Sequence, residues 1–219
     1  MSGVRLVCVG GSDAGIAAAL RARELDPECE VTVVLADEYR NFSICGLPYA
    51  ISGEVADWRN LAHRSREDLE ATGMRLRLNT VARSIDVAAH ELTVTTGNGH
   101  IERLAYDRLV IGTGAEPVIP PIDGLHDSGA SAALEPAEGV HVLHTMADMF
   151  AVLDTIDRRS PRSALVVGAG YIGLEMADAL TVRGLQVTQV EALPQLLPTV
   201  DAELAQLVQR ELEATEWRC

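Results

Sequence analysis

Long apolar runs, paired cysteines and an excess of positive charge are all missing from this 219-residue chain. The apolar stretch at residues 4–20 is broken by Gly-Gly-Ser-Asp, and no other run approaches a membrane span. One early cation and no Ala-x-Ala cleavage site are present, so we expect no signal peptide and a cytoplasmic location. With 18 basic and 32 acidic residues the net charge is −14, which argues against nucleic acid as a partner.

The cysteines form no C-x-x-C pair, so we expect no zinc or other metal site. They are Cys8, Cys29, Cys45 and Cys219. Cys8 lies within a predicted strand as a small buried residue, and Cys29 has no predicted role. Cys45 differs, because Gly46 and Pro48 follow it in a pattern typical of a helix start. A helix N-terminus lowers the pKa of a thiol, although a cysteine that merely caps the helix fits the local pattern equally well.

A complete Gly-x-Gly-x-x-Gly motif follows the apolar run Ala-Leu-Val-Val. In a strand–turn–helix unit Gly168 makes the tight turn, Gly170 lets the backbone approach a pyrophosphate, and Gly173 lets the helix pack on the strand. The helix N-terminus adds free N–H groups and a positive dipole end. Glu191 ends the next predicted strand, where a carboxylate binds both ribose hydroxyls and repels a 2′-phosphate. The sequence therefore predicts a dinucleotide site that favours NADH over NADPH.

A degraded copy of the motif follows the first predicted strand. Its three glycine positions hold Gly10, Ser12 and Gly15. The serine, with Gly11 beside it, is small enough to permit a close phosphate approach. The strand at 30–35 ends on an apolar residue at the ribose position, so Asp37 or Glu38 binds the ribose only if the turn is displaced. Two such units in tandem indicate a flavoprotein that receives hydride from a nicotinamide.

The remaining pattern indicates an α/β fold with an insertion. Alternating segments between about residues 81 and 106 predict an antiparallel meander, and 109–112 predicts a parallel core strand. Residues 115–139, rich in Pro, Gly and Ala, predict a crossing loop, and 145–158 a connecting helix. After Glu191 only an amphipathic helix at 200–214 follows, so the second unit lacks the third strand of a mononucleotide-binding half.

Four motifs in order resemble the pyridine nucleotide–disulfide oxidoreductases. They are Gly-Gly-x-x-x-Gly, Phe-Ser-Ile-Cys-Gly-Leu-Pro-Tyr, Tyr-Asp-Arg-Leu-Val-Ile-Gly-Thr-Gly-Ala and Gly-Ala-Gly-Tyr-Ile-Gly-Leu-Glu. The similarity is strongest to the single-cysteine branch, which contains coenzyme A-disulfide reductases, NADH oxidases and NADH peroxidases. This resemblance implies FAD in the first unit, NADH in the second, and Cys45 beside the flavin as the redox centre.

The resemblance also implies further cofactor-binding residues and a domain division. Thr113 and Gly114 match a turn near the flavin, Tyr171 a tyrosine that lies over the flavin until the nicotinamide displaces it, and Glu175 a residue near the nicotinamide. The implied domains are tandem Rossmann-like units, with FAD bound by residues 1–144 and the start of an NAD(P)H-binding domain at 145–219. Regions that the family adds later, including the domain that makes full-length relatives homodimers, have no counterpart, so we expect a C-terminally truncated chain.

Two departures from the family pattern bear on the substrate. Ala50 stands where dithiol members carry a second cysteine, which excludes an internal disulfide. Asp13 stands where peroxidases and water-forming oxidases carry a histidine, which favours a small disulfide or persulfide such as coenzyme A disulfide. Two alternatives stay open. One is an NADH oxidase or peroxidase that uses Cys45 as a sulfenic acid, and the other is a non-catalytic nucleotide-binding fragment.

Overall fold

The computed structural model describes residues 3–122 and 138–214, which contain nine strands, six α-helices and two short 3-10 turns. The strands are β1 (Arg5–Val9), β2 (Glu30–Val34), β3 (Arg75–Arg77), β4 (Thr80–Asp86), β5 (Glu91–Thr96), β6 (Ile101–Ala105), β7 (Arg108–Ile111), β8 (Ser163–Val167) and β9 (Gln186–Val190). The helices are α1 (Asp13–Leu25), α2 (Leu47–Ser52), α3 (Arg66–Ala71), α4 (Met146–Arg159), α5 (Tyr171–Val182) and α6 (Ala202–Ala214). The 3-10 turns are Ile44–Gly46 and Trp58–Leu61.

A parallel sheet in the order β3-β2-β1-β7 forms the first unit. β1 is central, because Val7 lies opposite Thr32 of β2 on one side and opposite Leu109 of β7 on the other. Successive side chains of a strand point to opposite faces. Cys8 of β1 accordingly packs in the core cluster that contains Ile16 of α1. The carboxyl ends of β1, β2 and β7 therefore meet at one edge, as the predicted α/β fold requires.

The inserted meander is confirmed as a three-stranded antiparallel sheet in the order β4-β5-β6. Leu92 and Val94 of its central strand are buried against Val7, Val9 and Val34 of the parallel sheet. This packing covers the sheet face opposite α1. The antiparallel sheet spans Thr80 to Ala105, close to the predicted range, and β4 takes a bulge between Ala82 and Ser84.

The second glycine motif lies in a smaller strand–helix–strand unit. β8 and β9 form a parallel two-stranded sheet with α5 as the crossover, so the predicted incompleteness of this unit holds for the described residues. α4 starts where the sequence predicts, with a reciprocal capping box between Thr145 and Asp148. Residues 115–122 of the predicted crossing loop contain no helix or strand, and its part at 123–137 lies outside the described residues.

The chain divides into two compact units, Met1–Ser43 with Ala62–Glu116 and Ile44–Leu61 with Pro117–Cys219. The segment that carries Cys45 thus belongs to the same compact unit as the second glycine motif. The division by cofactor, FAD at 1–144 and NAD(P)H at 145–219, stays a prediction. No helix within residues 3–122 or 138–214 has the length and apolar character needed to cross a membrane.

Candidate functional site

Glycines at the carboxyl end of β1 form a turn that other residues cannot adopt. Gly10 has φ +110°, and its N–H donates to the carbonyl of Val34 at 2.9 Å. A Cβ atom at Gly15 would lie 2.0 Å from the Gly10 carbonyl oxygen, and one at Gly10 would lie 2.0 Å from the Gly112 carbonyl oxygen. The start of α1 therefore packs directly against the residues that follow β1 and β7. The binding of a phosphate by its N-terminal N–H groups stays a prediction.

The two residues inside this turn differ in what they face. Ser12 is the N-cap of α1, is exposed, and makes no capping hydrogen bond with its hydroxyl. Gly11 is buried, and a Cβ atom there would lie 1.9 Å from Cδ2 of Leu35. Ser12 thus stands at the surface of the turn, where the motif places its middle glycine, while Gly11 supports the turn after β2.

The turn after β2 carries the acids predicted for the flavin ribose. Leu35 ends the strand and is buried. The Asp37 carboxylate accepts the N–H of Tyr39 at 2.8 Å. Desolvation raises the pKa of Asp37, and the neighbouring Glu38 carboxylate adds to the rise, while the Tyr39 N–H opposes it. Both acids lie in an exposed turn, and their role toward a ribose stays a prediction.

Sequence reasoning missed two polar residues beside this turn. Arg40 Nε and Asn41 Oδ1 are buried and have no hydrogen-bond partner. The Asn41 N–H donates to the Gly11 carbonyl at 2.6 Å, so this pair directly adjoins the first glycine turn. No motif marks them, because their burial depends on how the loop folds back onto residues 10–15.

The second glycine turn repeats the geometry of the first. Gly168 has φ +104°, and its N–H donates to the Val190 carbonyl at 2.8 Å. A Cβ atom at Gly173 would lie 2.1 Å from the Gly168 carbonyl oxygen, whereas one at Gly170 would have no neighbour within 4 Å. Gln189 Nε2 also donates to the Gly168 carbonyl at 2.9 Å. The open space at Gly170 is where the motif admits a pyrophosphate.

Glu191 is held beside this turn by backbone donors. Its carboxylate accepts the N–H of Ala169 at 2.7 Å and the N–H of Leu193 at 2.9 Å. These bonds, with that of Ala169 the larger, hold the pKa of Glu191 below its usual value. Glu191 also lines a cavity of about 300 Å³ together with Gln189 and Leu196. A fixed, ionised carboxylate at the end of β9 is the arrangement expected of a ribose ligand.

The residues implied by the family resemblance fall into both units. In the first, Thr113 and Gly114 follow β7, and Gly114 has φ +73°. In the second, Tyr171 begins α5, is exposed, and accepts a hydrogen bond from the Thr199 hydroxyl at 3.3 Å. Glu175 lies half-buried one turn further along α5. Their contacts with a cofactor stay predictions.

Cys45 is exposed and free, in the 3-10 turn that precedes α2. The predicted helix entry is present, with Pro48 in the first turn of α2, but the helix has only six residues. Leu47 and Ile51 of α2 are fully buried, and Arg183 Nε at the end of α5 donates to the Ile51 carbonyl. The cysteine is therefore carried by a short helix that is fixed to α5.

The other described cysteines are buried, as the sequence predicts for Cys8. Burial raises the pKa of the Cys8 thiol to about 11, and desolvation also raises that of Cys29. Ala50, at the position of a second redox cysteine, is buried in α2. Cys219 lies outside the described residues. Within the described chain no group of three His, Cys, Asp or Glu side chains could hold a metal ion.

A family model described as pyridine nucleotide-disulphide oxidoreductase matches residues 4–216. The chain belongs to this family. The two glycine turns, the meander and the cysteine segment thus lie in an oxidoreductase family, as the motifs indicated.

Relatives within the pyridine nucleotide-disulphide oxidoreductases are named for several different activities. An NADH oxidase of Methanocaldococcus jannaschii is 32% identical over 212 residues, which cover 96% of this chain and 45% of that protein. The structure of reduced Bacillus anthracis CoADR-RHD has a TM-score of 0.91 and 30% identity, covering 100% of this chain and 38% of its own. An NAD-dependent persulfide reductase from A. fulgidus has a TM-score of 0.86 and 32% identity, covering 98% and 38%. The chain spans about half the length of the curated relatives it matches.

Proposed function

We propose that this chain is the nucleotide- and cysteine-bearing part of a flavin-dependent oxidoreductase. Electrons pass from NADH through FAD to Cys45 and then to a small disulfide or persulfide such as coenzyme A disulfide. One observation carries the proposal. The described residues contain two glycine turns of the same geometry, in each of which a Cβ atom on the last glycine would meet the carbonyl of the first, and in addition one exposed cysteine.

The residues of the first turn fit FAD, and those of the second fit NADH. Gly10, Ser12 and Gly15 would receive the FAD diphosphate at the start of α1. Gly168, Gly170 and Gly173 would receive that of NADH, with Glu191 on its ribose. When bound, FAD supplies the conversion of a hydride into two electrons that a sulfur can accept.

Cys45 supplies the sulfur chemistry. Its thiolate attacks one sulfur of the small disulfide, so a mixed disulfide forms and one thiolate leaves. Two electrons and a proton then release the second thiol and restore the Cys45 thiolate. Because Ala50 removes an internal partner, the oxidised state needs an external thiol, which supports a small and accessible substrate. The exposure of Cys45 agrees with that need.

An NADH oxidase or peroxidase is the second candidate, because one relative at 32% identity is named an NADH oxidase. Cys45 would then alternate between thiolate and sulfenic acid. Asp13, exposed in the first turn of α1, stands at the position of the histidine of peroxidase-type relatives. A carboxylate cannot serve there as a neutral donor, which places the disulfide reaction first. Small thiols or disulfides are thus the proposed partners, and dimer formation stays an expectation drawn from full-length relatives.

The proposal is tested by reconstituting the purified chain with FAD and removing the free flavin by gel filtration. We expect yellow protein that releases thiol from coenzyme A disulfide when NADH is added, faster than it consumes hydrogen peroxide. Faster peroxide turnover would support the second candidate. Colourless protein would leave a nucleotide-binding fragment as the function of this chain.

Replacement of Glu191 tests the nucleotide choice. We expect Glu191→Gln to reduce the preference for NADH over NADPH by about tenfold, since one charge-assisted bond to the ribose is lost. The pKa of Glu191 is held low, so the wild-type preference should stay constant between about pH 6 and pH 8. Calorimetric titration with both nucleotides measures this, with the exposed Glu203→Gln as the control. An unchanged preference in Glu191→Gln would show that this carboxylate is not the ribose ligand.

A further inference from the structure

We propose that Arg40 and Asn41 hold the FAD diphosphate and an adjoining hydroxyl, so that the first unit anchors its nucleotide by a cation where the second uses a carboxylate. This inference rests on the proposed function of the first glycine turn. It concerns residues that no motif singles out.

The two units match position by position in the described residues. In each turn the N–H of the first glycine donates to the carbonyl of the last residue of the neighbouring strand. Gly10 donates to Val34 in the first unit, and Gly168 donates to Val190 in the second. The residue that directly follows the strand is Leu35 in the first unit and Glu191 in the second. At the ribose position one unit therefore has a buried apolar side chain and the other an ionised carboxylate.

The match continues through the following loop. The Asn41 N–H donates to the Gly11 carbonyl at 2.6 Å, and the Leu197 N–H donates to the Ala169 carbonyl at 2.8 Å. Both donors have a left-handed backbone, with φ +52° at Asn41 and +47° at Leu197. Each lies six residues after its ribose position, so Asn41 corresponds to Leu197 and Arg40 to Leu196.

The side chains at these matched positions are reversed in polarity. In the second unit Leu196 and Leu197 are both buried in an apolar cluster with Ala169. In the first unit the same two positions hold Arg40 and Asn41, whose Nε and Oδ1 are buried without a partner. Apolar residues suffice for the fold at these positions, as the second unit demonstrates. Buried polar atoms without partners cost stability, so the polar pair indicates a ligand that supplies the missing bonds.

The chemistry of the pair identifies that ligand as a diphosphate with a nearby hydroxyl. Arg40 has no ion pair among the described residues, and a guanidinium binds phosphate oxygens in a planar, two-pronged geometry. The Asn41 Oδ1 accepts a hydrogen bond and so suits a hydroxyl donor. Leu196, the counterpart of Arg40, lines the cavity beside Glu191, so this position faces the nucleotide side in the second unit.

The test replaces Arg40 by leucine, the residue at the matched position 196 of the second unit. Arg40→Leu should raise the dissociation constant for FAD at least about tenfold, because a charge-assisted pair is lost, and should weaken its dependence on salt. Asn41→Leu, which keeps a residue tolerated at the equivalent backbone angle, should raise the constant several-fold. The control is Arg66→Leu, which removes the same charge from the exposed surface of α3 in the same unit. Quenching of flavin fluorescence at several salt concentrations gives the constants for the whole chain.

Thermal unfolding without flavin separates a binding role from a structural one. We expect Arg40→Leu to unfold no lower than the wild type, since a half-buried cation whose Nε has no hydrogen-bond partner is removed. If wild type binds FAD and Arg40→Leu binds it as Arg66→Leu does, the inference is overturned and the proposed function stands. A lower unfolding midpoint with unchanged FAD binding overturns it equally. If the wild-type chain binds neither FAD nor ADP, both the inference and the flavin part of the proposed function fail.

Discussion

Gly170→Ala is expected to leave the fold intact and to weaken NADH binding at least about tenfold, because the added methyl group occupies the space of the pyrophosphate. A Cβ atom at Gly170 meets no protein atom within 4 Å, so the folded chain accepts it without strain. The backbone there is extended, which any residue adopts. The substitution should therefore change the affinity for NADH and leave the stability of the fold unchanged.

Gly173→Ala is the matched comparison, since it adds the same methyl group three residues further along. Its Cβ atom would lie 2.1 Å from the Gly168 carbonyl oxygen and 3.1 Å from Gln189 Nε2. The contact with backbone should destabilise the second unit by about 1–3 kcal/mol. Thermal unfolding and calorimetric titration of both variants measure the two effects. Equal loss of stability in the two variants, or full NADH affinity in Gly170→Ala, would contradict the assignment of this turn.

Cys45→Ser is expected to abolish thiol release from coenzyme A disulfide while leaving flavin reduction by NADH in place. A serine hydroxyl does not form the mixed disulfide on which turnover depends. The side chain is exposed and forms no disulfide, and serine is of similar size, so the variant should unfold at the wild-type temperature. The two half-reactions are followed by flavin absorbance and by a thiol reagent.

Alkylation of the wild-type chain tests the same assignment without mutation. Cys45 should react well ahead of Cys8 and Cys29, because both of those thiols are buried and their pKa values are raised. Mass spectrometry of the peptides gives the rate at each site as pH is varied. Reaction of Cys45 no faster than Cys29 would remove it as the redox centre.

The glycine turns could be predicted from sequence because their geometry is local. Gly10 and Gly168 have positive φ, and Gly15 and Gly173 touch the carbonyl of the first glycine in their own turn. A sequence motif can show these contacts, because the two glycines in each are fewer than six residues apart in the chain. The meander was predicted for a similar reason, because alternation of apolar residues reports on strands with one buried face.

Features that depend on distant contacts could not be predicted. The attachment of α2 to α5 joins Ile51 to Arg183 across more than a hundred residues of chain, and it places the cysteine segment with the second motif. The burial of Arg40 Nε and Asn41 Oδ1 depends on a loop that folds back onto Gly11. Neither the spacing nor the composition of these segments carries a signal for these contacts.

Anaerobic titration with NADH of the chain reconstituted with FAD tests the central claim most directly. That claim is that the two glycine turns hold two different nucleotides, with electrons passing from one to the other. We predict that the bound flavin is bleached by about one equivalent of NADH, with slower bleaching by NADPH, since one hydride carries the two electrons that a flavin accepts. Retained flavin that stays oxidised in excess NADH, in a chain shown to bind both nucleotides, would contradict the account.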